Sequence, residues 1–158
     1  MNEGLIIAII IGISIASVPL IFAAIGELLV ERSGVLNLGV EGMMIVGALA
    51  GFVVEFHTGS SFLAVLAALL AGMAIASIFA FLTQILLTNQ VATGLALTLF
   101  GLGISAFVGR GYSEENIELI SAIHIPLLSD VPIVGPLLFS YNPLVYLAFF
   151  MVFLVWWF

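Results

Sequence analysis

The 158-residue sequence contains no cysteine and no lysine, and it sets only two arginines against nine acidic residues. Without cysteine, neither a disulfide framework nor a thiolate metal site can form. Without lysine there is no P-loop, whose lysine must reach the nucleotide phosphates. Any ATP hydrolysis coupled to this chain therefore belongs to another polypeptide. A formal charge of −7 leaves no basic footprint of the kind nucleic-acid binding requires. Charge of either sign is scarce: 7% of the residues carry one, where a soluble domain carries about a quarter.

What fills the chain instead is apolar. Hydrophobic residues make up 64% of it, and the mean hydropathy is +1.40. Residues 4–26 hold no charge, and residues 56–109 hold none beyond the normally neutral His57. A helix rises about 1.5 Å per residue and needs roughly 20 apolar residues to cross the hydrocarbon core. The first run suffices for one crossing and the second for two. The fold class that follows is all-α, a polytopic membrane protein with about five transmembrane helices, the last one truncated. The acidic start Met1-Asn2-Glu3 and the length of the first run point to a retained span rather than a cleaved signal peptide.

A single membrane-spanning domain is expected over residues 1–158, with spans at 4–27, 38–56, 62–87, 91–109 and 143–158. A polar connection at 27–34 and turns at Gly59-Ser60-Ser61 and Thr88-Asn89-Gln90 separate the first four. Residues 110–142 read as a long extramembrane loop. Its Glu114, Glu115 and Glu118 form a solvated face. Pro126, Pro132 and Pro136 lie too close together for a straight spanning helix, so a short helix or a re-entrant dip is the alternative to plain loop. The fifth segment is too short to cross and reads as a helix that continues in a longer parent sequence. Trp156 and Trp157 read as interface anchors. The second, third and fourth spans separate Arg32 from Arg110 and put the two on opposite sides of the bilayer, so the positive-inside rule assigns no orientation.

The block from Glu31 to Gly42 concentrates two carboxylates, a guanidinium, an amide and three glycines between apolar segments. In one reading Asn37 caps the second helix and Glu41, one turn on, favours the helix dipole. In the other, Asn37 and Glu41 are four apart on one helical face that points into a polar cavity. Glycine-rich, interrupted helix starts of this kind line transporter sites. Thr88-Asn89-Gln90 reads equally as a polar turn and as hydrogen-bonding groups for a ribose or base. Gly47 and Gly51 form a small-xxx-small pair suited to helix packing within one subunit. His57 and His124 have no second ligand at metal spacing, and Glu55 beside His57 reads as an interfacial pair. No serine has a histidine and an acid at recognisable local spacing. Neither a catalytic site, nor a metal, nor a cofactor is expected.

The stretch Glu31-Arg-Ser-Gly-Val-Leu-Asn-Leu-Gly-Val-Glu-Gly-Met-Met44 resembles a signature near the start of ABC-importer permeases of the branched-chain amino acid, ribose and nucleoside class. Asn89-Gln-Val-Ala-Thr-Gly-Leu-Ala-Leu-Thr-Leu-Phe-Gly-Leu-Gly-Ile-Ser-Ala-Phe-Val-Gly109 is similar to the corresponding segment of the nucleoside and simple-sugar branch. The two occur in the family's order and at a similar spacing. The resemblance implies a multi-pass permease subunit in the bacterial plasma (inner) membrane that takes up nucleosides or simple sugars and is not itself an enzyme. The implied partners are ATP-binding ABC subunits, a second permease subunit, an extracytoplasmic substrate-binding protein and the lipid bilayer, with no nucleic acid. Such permeases are about twice this length, so a chain ending at Phe158 is expected to lack the coupling loop and to be inactive by itself. The substrate-path candidates are Asn37, Glu41, Asn89 and Gln90. The alternatives are a branched-chain amino acid permease and a membrane scaffold subunit that moves no solute.

Overall fold

A computed structural model describes residues 3–117, 120–123, 129 and 134–157. Among these the regular structure is entirely helical. Helix α1 spans Glu3–Arg32 and α2 spans Val40–Thr58. Helix α3 (Ser61–Ala80) widens into a π-helical turn at Phe81–Ile85. Helix α4 (Gln90–Gly109) tightens into a 3₁₀ turn at Arg110–Tyr112. The short helix α5 (Val134–Phe139) and the apolar α6 (Pro143–Trp157) follow.

These helices are apolar all round rather than along one stripe, the pattern of a core or membrane helix. Four stretches are long and apolar enough to cross a membrane: Gly4–Arg32, Val40–Thr58, Ser61–Ile85 and Gln90–Tyr112. Large mid-helix side chains such as Ile13, Leu69 and Leu99 stand exposed. Leaving such side chains in water forfeits about 1.5–3 kcal/mol each, whereas lipid tails accept them freely. The molecule is a multi-pass membrane protein.

Three boundaries differ from the hydropathy reading, each for a local reason. Helix α1 continues past Glu27 to Arg32 because Leu28 to Arg32 contain no helix breaker. It stops at Gly34, whose φ of +83° suits a left-handed cap, with Gly34 N donating to Glu31 O at 2.9 Å. Helix α2 does not start until Val40. The third apolar run is not α-helical to its end. Beyond the π turn, Leu87 adopts φ +52°, an outlier for a branched residue, and both Thr88 N and Thr88 Oγ1 donate to Leu82 O, at 3.1 and 2.9 Å.

The chain divides into two compact units, Met1–Gly26 with Ile120–Phe158, and Glu27–Leu119. In the first, Val18, Tyr141, Val145 and Ala148 form a buried cluster surrounded by Ile11, Ile21, Phe22, Leu144 and Tyr146. Pro19 lies inside α1, and its missing amide is the kind of gap that membrane helices tolerate. Of the prolines in the 110–142 stretch, Pro126 and Pro132 lie outside the described residues. Pro136 is the third residue of α5, where a backbone amide has no intrahelical partner to lose.

In the second unit α2 packs on both α3 and α4. Gly47 and Gly51 lie against Ala68 and Ala64 of α3, so that pair serves packing within the chain. The α2–α4 crossing is tighter. A Cβ on Gly42 would lie 2.5 Å from Leu97 O, and one on Gly101 would lie 2.7 Å from Gly42 O. The two backbones touch there, and any side chain would part them. Ile75, Phe79 and Leu97 close the core beside this crossing.

Candidate functional site

The non-helical residues 33–39 interrupt an otherwise helical, apolar unit. Backbone N–H and C=O groups away from water require partners, and no ladder supplies them here. Side chains do. Leu36 N donates to Gln90 Oε1 at 2.8 Å, and Asn37 N donates to Glu27 Oε1 at 3.0 Å. Leu38 O accepts from Thr98 Oγ1 at 3.0 Å, and Gly39 N donates to Asn37 Oδ1 at 2.9 Å. Four consecutive residues are thus each tied through the backbone to a side chain. The anchoring groups come from the end of α1, from α4 and from the segment itself. Each neutral bond contributes about 1 kcal/mol net, and one to a carboxylate contributes more.

Asn37 is buried at the centre of this polar junction, and its Nδ2 makes only a long contact of 3.6 Å to Met43 Sδ. It neither shares a helical face with Glu41 nor caps α2. Helix α2 begins at Val40 with Gly39 at its N-cap and no side-chain cap bond, because Asn37 spends its oxygen on an Asx-type turn. Glu41 is exposed in the first turn of α2. Gln90 meets Leu36 as described, and Asn89 caps α4, its Oδ1 accepting from Ala92 N at 3.0 Å. The fold therefore brings Asn37 and Gln90 to one junction with Asn89 at its border, and leaves Glu41 out of the hydrogen-bond set.

Two residues of the junction escaped the sequence reading. Glu27 was assigned to a polar connection, although an ionisable group on an apolar span is itself a signal. Thr98 carries no such signal, since threonines recur along the same segment.

The other end of the α2–α4 bundle has a different character. His57 Nε2 lies 2.9 Å from Tyr112 OH, and Phe52 and Phe56 meet the Tyr112 ring edge-on. Glu55 does not pair with His57. It is buried, accepting from Ser61 Oγ at 3.0 Å at the start of α3. No group of three or more metal-ligating side chains occurs among the described residues. Glu118 and His124 lie outside the described residues. An open groove of about 570 Å³ between α3 and α4, lined by Ile78, Leu82, Ala96, Leu97 and Phe100 among others, is almost wholly apolar.

Residues 9–158 match the family described as the branched-chain amino acid transport system / permease component. The chain belongs to this permease family. Its relatives include a putative glucose ABC transporter permease of Haloferax volcanii, 44% identical over 147 residues, which are 90% of this chain and 45% of the relative. A guanosine ABC transporter permease of Bacillus subtilis is 33% identical over 133 residues, 77% of this chain and 42% of that one. A nucleoside ABC transporter permease of Lactococcus lactis is 32% identical over 153 residues, 90% of this chain and 48% of its own length. The chain spans less than half the length of each of these relatives. No solved structure matches this permease-family chain.

Proposed function

We propose that this chain forms part of the translocation pathway of an ATP-driven importer for nucleosides or simple sugars, and that residues 33–39 border the route. The observation that carries this is the run of four residues, 36–39, held open from helical structure by side chains of Glu27, Asn37, Gln90 and Thr98. The segment joins two apolar spans, Gly4–Arg32 and Val40–Thr58, and transporters use interrupted, irregular backbone of this kind to meet solutes. The glucose, guanosine and nucleoside permeases among the relatives support the solute class. Asn37 and Gln90 hold the segment, and Asn89 fixes the start of α4 beside it. Glu41 joins the path only if the exposed first turn of α2 faces it.

In this reading separate ATP-binding subunits supply the energy, because this chain has no lysine for a P-loop. A second permease subunit and an extracytoplasmic substrate-binding protein complete the assembly, and this subunit performs no chemistry of its own. The test is uptake of radiolabelled guanosine, D-glucose and L-leucine by the permease assembled with its ATP-binding and substrate-binding subunits. ATP-dependent uptake of guanosine or glucose, and not of leucine, is the expected result. Uptake of leucine alone, or of none of the three, refutes the proposal.

A further inference from the structure

The four side chains that tie down residues 36–39 are not equivalent. Three act through neutral groups, while Glu27 brings a carboxylate and uses only half of it. Oε1 accepts from Asn37 N at 3.0 Å. Oε2 is buried and has no hydrogen-bond partner among the described residues. Glu27 lies on α1 only one turn and a half before the helix stops, so this oxygen sits beside the one irregular stretch that the second unit contains between α1 and α2. A carboxylate oxygen withdrawn from water and left unpaired is unfavourable, and a functional role is one of the recognised reasons for keeping one.

We infer that Glu27 is the solute-contacting residue of the junction. Oε1 holds the segment in place while Oε2 accepts a hydrogen bond from a donor on the passing solute. The inference rests on the transport reading above and deepens it. An acceptor without a donor of its own selects a donor-bearing ligand, and the ring hydroxyls of a hexose or of a ribose supply this chemistry. An ammonium group would satisfy the same oxygen, so leucine is the competing class in the test. In the conformation described here Oε2 is covered. A solute reaches it when residues 36–38 shift, and these are tied to the rest of the fold by side-chain bonds rather than by a helical ladder.

Glu27→Gln separates contact from scaffold, because glutamine keeps an oxygen for Asn37 N and turns the other position from acceptor to donor. In the assembled importer, Glu27→Gln is expected to lower the maximal uptake rate about ten- to a hundredfold, the size of one hydrogen bond to a charged group. Membrane abundance and thermal unfolding in detergent stay at the wild-type level, and KM moves little, since a separate binding protein captures the solute. A second measurement needs no variant. Among deoxy analogues of the transported solute, at least one missing ring hydroxyl slows wild-type uptake by a similar factor, and the same analogue suffers no further loss in Glu27→Gln. Wild-type uptake of every deoxy analogue at the parent rate overturns the inference, as does a Glu27→Gln importer that works normally. Uptake of none of sugar, nucleoside and leucine by the wild type removes the transport reading itself, and uptake of leucine alone removes the polyol assignment.

Discussion

Glycine shows what single positions decide. Replacing a helical glycine by alanine normally favours the helix by about 0.5–1 kcal/mol, because less backbone entropy is lost on folding. Gly103 of α4 has open space where a Cβ would stand, so Gly103→Ala is expected to be neutral or slightly stabilising. At Gly42 the added carbon would sit 2.5 Å from Leu97 O and 2.7 Å from the Cα of Thr98. Those are backbone atoms that no rotamer change can move aside. Gly42→Ala therefore forces α2 and α4 apart, at an overpacking cost of about 1–3 kcal/mol. Thermal unfolding in detergent, run on both variants, checks the pair: a lower midpoint for Gly42→Ala alone. The sequence did not give the two different steric demands, since the backbone atoms that crowd Gly42 belong to Leu97 and Thr98, more than fifty positions away. The spaced pair Gly47 and Gly51 was legible because its partner surface, small residues on the neighbouring helix, follows from the same spacing rule.

At the scale of the element, the start of α4 carries two tasks on adjacent residues. Asn89 satisfies the first-turn amide of Ala92, and Gln90 reaches across to the amide of Leu36. Losing a cap to alanine costs about 0.5–2 kcal/mol, and aspartate supplies the same acceptor. Asn89→Ala should lower the unfolding midpoint and Asn89→Asp should restore it, with solute selectivity the same in both. Gln90→Leu instead removes the bond to the Leu36 amide, worth about 1 kcal/mol net, and should impair uptake beyond its effect on stability. A ratio of uptake to folded protein that matches wild type would place Gln90 outside the pathway. The existence of four long apolar helices was plain from composition. The π turn at Phe81–Ile85 and the reversal at Leu87 were not, because an apolar run has the same hydropathy whether its hydrogen bonds close over four residues or five.

For the molecule as a whole, helices α2, α3 and α4 alternate in direction if each crosses the bilayer. The turn at 59–60 and the stretch after Tyr112 then share one face, joined by the His57–Tyr112 contact. Residues 33–39 and 86–89 share the other, joined by the Leu36–Gln90 bond. The chain has no cysteine, so single introduced thiols report without background. A membrane-impermeant thiol reagent applied to intact cells should label Ser60→Cys and Gly111→Cys alike, and treat Leu86→Cys in the opposite way. Labelling of all three from one side would break the four-span topology. The same experiment supplies the orientation that two arginines on opposite sides could not.

Sequence alone determined the solvent in which this protein folds and the family to which it belongs. Charge is too sparse and apolar runs are too long for water, and two polar blocks in apolar surroundings are specific enough to mark a lineage. It also placed Asn37, Glu41, Asn89 and Gln90 among the residues worth attention, because polar side chains gathered at the ends of apolar spans call for partners. Which partner, only the tertiary structure decided. Hydrogen bonds between Leu36 and Gln90 and between Leu38 and Thr98 join residues more than fifty positions apart, and no local periodicity encodes such a meeting. It depends on how closely two helices approach, which here rests on missing side chains at Gly42 and Gly101.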